Sequence, residues 1–178
     1  NKDEIDALYK KDPQKLTASE FWSYIMSQKD ATDEKREALY REALSIHPDL
    51  MIAANNLASL LIKQNRADTT LLKPFITQDA PSAILVNQTV AYLQKRDFKR
   101  ANHFAELLPD NKDTEIVKAL AAAMDGKYQE AYPIFENFEN CYRTIWNDIV
   151  PKHLKTIFKG NSTKRWRCVR FTGFIRFR

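Results

Sequence analysis

Three stretches decide how this chain is read: NNLASLLIKQNRADT at 55–69, NQTVAYLQKRDFKRA at 87–101 and VKALAAAMDGKYQEA at 117–131. Each places apolar residues at the three- and four-residue spacing of a helical face, passes through a short polar turn, and reopens on a second helix near Thr70, Ala101 or Ala131. Their central parts align without a gap: 31 residues separate Ala58 from Thr89, and 30 separate Thr89 from Ala119. Self-similarity at a fixed period marks a repeated supersecondary unit. Pro48, Pro81 and Pro109 close successive units, because proline cannot continue a helix and disfavours helical geometry in the residue before it.

The pattern resembles the tetratricopeptide repeat (TPR), a pair of antiparallel helices with small residues at their crossing and an aromatic nearby. Ala58 and Ala119 match the small position of the first helix, where Thr89 departs from it. Ala101 and Ala131 match the small position of the second helix, where Thr70 departs. Phe98 and Tyr128 match the aromatic after the turn, Gly126 its glycine, and Tyr40, Ala43 and Pro48 the end of an earlier unit. The units are shorter than the family's usual period of about 34 residues. The resemblance implies an all-α fold: a right-handed α-α superhelix of antiparallel pairs, a fragment of a longer array, over residues 18–140. A single pair cannot bury its apolar face, so pairs must stack.

Helices are expected near 3–11, 18–29, 33–46, 50–65, 69–78, 83–95, 98–107, 114–124 and 128–138. Thr17 and Glu20 in TASEF form a capping box, and Asp33 and Asp113 are candidate caps for later helices. Pro74 and Pro133 fall early in second helices, in the first turn or at a kink. Residues 1–17 form an N-terminal helix and linker. The segment DPQKLTASEFWSYIMSQ, 12–28, followed by degenerate repeats, also resembles the helical region behind OmpA-like domains of Bacteroidetes cell-envelope proteins. That likeness implies a piece of an envelope protein of the periplasm or outer membrane, with the cytoplasm as the alternative. A start at Asn1 fits a processed product or fragment.

Only three glycines, and few strand-like runs, agree with a helical body. Apolar runs such as LASLLI at 57–62 fall well short of the roughly 20 residues that span a bilayer. Net charge is +5 but unevenly spread: residues 141–178 carry ten Lys and Arg against Asp148, leaving eighteen bases and twenty-two acids in 1–140. Both cysteines, Cys141 and Cys168, lie in that tail without CxxC spacing, so no metal or redox motif is formed.

No HExxH, phosphate-cradling glycine loop or nucleophile elbow occurs, and His47, His103 and His153 stand apart from any catalytic constellation. The chain is therefore expected to be no enzyme and to need no metal or cofactor. What remains is binding of a protein or peptide partner, with no small-molecule substrate. The resemblance implies a groove lined by the first helices: Asn55, Ser59 and Lys63, then Val86, Val90 and Gln94, then Ile116 and Leu120. Asn55 and Lys63 echo only part of the family's carboxylate clamp. The competing reading makes Val86, Val90, Ile116 and Leu120 core. Lys95, Arg96, Lys99 and Arg100 form a basic turn, for which solvation alone is the simplest reading.

The repeat pattern stops near Asn140, and the end of the chain, KRWRCVRFTGFIRFR at 164–178, interleaves arginine with aromatics. Such a tail suits nucleic acid or an anionic membrane, provided it is native; loss of acids and of pattern at one boundary equally suits a shifted reading frame. The three functional expectations are thus a partner-binding scaffold, a nucleic-acid or membrane binder acting through the tail, and a structural spacer.

Overall fold

The computed structural model describes residues 2–137, which fold into eight α-helices with no strand among them. The chain is all-α. The helices are α1 (Lys2–Lys11), α2 (Ala18–Ser27), α3 (Asp33–Ile46), α4 (Met51–Lys63), α5 (Ser82–Gln94), α6 (Phe98–Glu106), α7 (Glu115–Met124) and α8 (Tyr128–Asn137). Single 3-10 turns occupy Pro13–Lys15 and Lys73–Phe75. The tail expected to be distinct, 141–178, lies outside the described residues.

Each helix packs on the next, and α5 also packs on α7 across the intervening α6. That order is compatible with stacked helix pairs. Two side-chain bonds fix how α4 lies on α5. Asn87 Nδ2 donates to Asn55 Oδ1 at 2.9 Å, and Gln94 Nε2 donates to the Ile62 carbonyl at 2.7 Å. Early residues face early ones and late face late, so α4 and α5 run parallel and their C-terminal turns are neighbours.

Small residues sit where helices cross. Ala43, Ala101 and Ala131 are fully buried, and Ala58 and Ala119 are nearly so. Tyr40 is buried and stacks on Trp22, while Phe98 and Tyr128 are half-buried. Without a large side chain at the crossing, axes approach closely and the neighbouring Leu and Ile fill the space between pairs.

Local signals explain most boundaries. Thr17 accepts from the Glu20 amide at 3.3 Å while Glu20 accepts from the Thr17 amide at 2.8 Å, closing the capping box of α2. For α3 the cap is Thr32, one residue before the expected Asp33, which lies in the first turn instead. Asp113 caps nothing in α7: Asn111 Oδ1 accepts from the amides of Asp113 and Thr114, at 3.0 and 3.1 Å, in the turn ahead of that helix. Pro133 stands inside α8, beyond the first turn.

One expected helix is absent. Residues 69–78 form only the turn Lys73–Phe75. Asp68 accepts from the Thr70 amide at 2.8 Å and its hydroxyl at 2.6 Å, closing a local turn that competes with helix initiation. Pro74 then removes a donor in mid-segment and restricts Lys73. Leu72 is nonetheless buried beside Ala54, Ala58 and Ile84, so the segment still covers the core.

Candidate functional site

The first helices α4, α5 and α7 end in the same way. Asn65, Arg96 and Gly126 take left-handed backbone at φ 57°, 59° and 85°. In each turn the next amide reaches back five residues: Arg66 to Leu61 at 2.8 Å, Asp97 to Tyr92 at 3.0 Å, Lys127 to Ala122 at 2.8 Å. This closure satisfies helix-end carbonyls that would otherwise lack a donor. The three left-handed residues stand 31 and 30 positions apart, the spacing read from the sequence.

The residue after the left-handed one then links units. Arg66 pairs with Glu37 of α3 at 2.8 Å, and Lys127 with Glu106 of α6 at 3.0 Å. Hydrogen bonds from Arg66 and then Arg41 hold the Glu37 carboxyl below its ordinary range, and one from Lys127 does the same for Glu106. In the middle turn that place belongs to Asp97, which instead accepts from the Arg100 amide at 3.2 Å and caps α6. Spacing alone hides these links, because their acids lie 29 and 21 residues away.

The expected groove residues fall into two sets. Asn55, Ser59, Val86 and Ile116 are buried, and a ligand does not reach them in this arrangement. Lys63 is exposed and pairs with Asp33 at 3.2 Å, and Val90, Gln94 and Leu120 are half-buried. The inner positions are thus core, as the competing reading had it for Val86 and Ile116; Val90 and Leu120 are half-buried and pack against the same core, and Lys63 alone of the set is exposed. Every residue from Ala53 to Ile62 is buried, so α4 has no solvated face.

Buried amides tie the inner helices together. Asn55 and Asn87 are fully enclosed; beyond their mutual bond, Asn55 Nδ2 and Asn87 Oδ1 have no partner among the described residues. Gln88, also enclosed, donates to the Thr69 carbonyl at 2.9 Å.

At the other end, Tyr9 stacks on Tyr24 with ring centroids 3.8 Å apart and donates its hydroxyl to Glu42. Burial, then the Glu42 bond and charge, push the Tyr9 phenol well above its ordinary range. His47 Nε2 donates to the Leu16 carbonyl at 2.8 Å and works as a structural clasp. A shallow cavity between α6, α7 and α8 is lined by Ala105, Glu106, Lys118, Ala122, Glu130 and Ile134, among others. Two of its charged groups are engaged: Glu106 holds Lys127, and Lys118 donates to the Leu108 carbonyl at 3.0 Å and pairs with Asp110.

Among the described residues no group of three or more His, Cys, Asp and Glu is placed to hold a metal ion, and no helix is long and apolar enough to cross a membrane. On the edge formed by the turns after α4 and α5, six bases, Lys63, Arg66, Lys95, Arg96, Lys99 and Arg100, are exposed. Compared with known proteins, this chain matches no family model, no curated protein and no solved structure.

Proposed function

We propose that this chain is a non-catalytic helical scaffold that holds a protein partner along the edge made by its first-helix turns. One observation carries the reading: three turns of the same closure at the repeat spacing, two of them neighbours, bring charged side chains out on rigid helix ends. Rigid placement lowers the ordering cost of binding, which is the physical advantage of a scaffold over a loop. The buried inner helices serve as its frame, and exposed Lys63 and half-buried Val90, Gln94 and Leu120 border the surface.

Site-specific photo-crosslinking in the native host tests this. A photoreactive residue in place of exposed Lys63 or Lys95 is expected to capture one and the same partner, whereas one in place of Leu8, 42% exposed on α1, captures none. Capture at all three sites alike, or at none, refutes the edge as the binding surface.

A further inference from the structure

A contrast between the three turns deepens the scaffold reading and rests on it. Arg66 and Lys127 are each neutralised by an acid of an earlier second helix, Glu37 and Glu106. The middle turn has no such link among the described residues. Its Asp97 pairs with Arg100 at 3.0 Å, and Lys95, Arg96 and Lys99 are exposed and form no ion pair among those residues. Four bases and one acid thus occupy six consecutive residues, on a body in which acids outnumber bases.

Arg96 also holds the left-handed conformation, at φ 59°, where the equivalent turns have Asn and Gly. Those two residues suit that backbone; arginine does not. The backbone therefore does not explain the arginine, which directs attention to its side chain. The Arg96 guanidinium lies 6.0 Å from the Phe98 ring centroid, and that of Arg100 lies 5.9 Å from the Tyr92 ring centroid. Both cations are steered by rings without being neutralised by them.

We propose that the turn Lys95–Arg100 is a docking site for a carboxylate-rich segment of a partner protein. Guanidinium forks match carboxylates in pairs, and neighbouring ammoniums donate to the remaining oxygens. A short acidic segment fits one turn. A polynucleotide runs on past it over a surface richer in acids, and the rings that could stack its bases are already covered by guanidiniums.

The test is a site-resolved titration of the full chain: amide chemical shifts followed by NMR as a deca-glutamate peptide is added, because only a per-residue readout separates this turn from the basic residues beyond 140. Saturable shifts are expected at 95–100. The variant Arg96→Gly is decisive, since it relieves the backbone while removing the guanidinium: its melting temperature should rise while its affinity falls about 2- to 5-fold. Combining it with Lys95→Ala and Lys99→Ala should weaken binding about tenfold or more. The proposal is overturned by shifts confined to residues beyond 140, by unchanged affinity at 95–100 in these variants, or by an oligothymidine that saturates the same amides at lower concentration than the peptide. If the crosslinks from Lys63 and Lys95 succeed while the peptide fails, the edge stands and only the acidic partner falls.

Discussion

Replacing Gly126 with alanine isolates the backbone term of the turn that closes α7. Gly126 sits at φ 85°, and a methyl group built on it meets nothing within 4 Å, so the substitution adds no clash. What it adds is the left-handed penalty of an L-residue, about 1–2 kcal/mol. Alanine also narrows the unfolded ensemble, which offsets about 0.4–1 kcal/mol. The net loss is then about 0.5–1.5 kcal/mol, or about 0.3–0.8 M in a urea midpoint for a slope of about 2 kcal/mol/M. The chain cannot escape by relaxing, because the Gly126 and Lys127 amides are both committed, to Ala123 at 3.1 Å and Ala122 at 2.8 Å. Asparagine, the residue at the equivalent place after α4, tolerates this backbone, so Gly126→Asn should recover most of the loss. Urea unfolding of the three proteins, followed by helical circular dichroism, decides. Alanine as stable as glycine, or asparagine no better than alanine, would show that the turn is not held in this conformation.

Three further outcomes rest on the same contacts. Asn55→Leu leaves the enclosed Asn87 donor only the long bond to the residue-55 carbonyl, at 3.5 Å, and should destabilise by about 1–3 kcal/mol, whereas adding Asn87→Leu should restore much of it; a double-mutant cycle by urea unfolding that gives simple additivity contradicts this. Ala101→Leu forces a large side chain into a fully buried crossing and should cost about 1–3 kcal/mol, read as a lower melting temperature. Glu37 and Glu106 are held below their ordinary value of 4.5, so their pairs stabilise fully above it and are lost as pH falls through the lower folded value. Urea midpoints should therefore decline below about pH 4.5, and Glu37→Gln should flatten part of that decline.

Most helices were legible because capping chemistry and the recurrence of Ala58, Thr89 and Ala119 are local facts of sequence. The helix expected at 69–78 was misread because the repeat frame outweighed two local signals, the Asp68 turn and Pro74. The inner half of the expected groove, Asn55, Ser59, Val86 and Ile116, is buried and was misread for the opposite reason. A signal against it stood in the sequence: Met51 to Ile62, and all of α5 from Ser82 to Gln94, contain no charged residue. A helix without a charged face is expected to be enclosed. The cross-unit pairs of Arg66 and Lys127 were hidden because each depends on the side chain one place beyond a left-handed residue, and two of those three residues, Asn65 and Arg96, are not glycine.

The missing helix has a counterpart in the core. Leu57, Gln88 and Lys118 hold equivalent places in the three first helices. Leu57 is buried in an apolar cluster, but Gln88 donates to the Thr69 carbonyl at 2.9 Å and Lys118 to the Leu108 carbonyl at 3.0 Å. Each polar residue serves main chain that the segment before it leaves unpaired. For Gln88 that segment is the broken one, where a continuous helix would have used the Thr69 carbonyl itself. The loss of one outer helix thus leaves an amide in the core, so restoring that helix by Pro74→Ala alone would strand Gln88 and should not stabilise the fold.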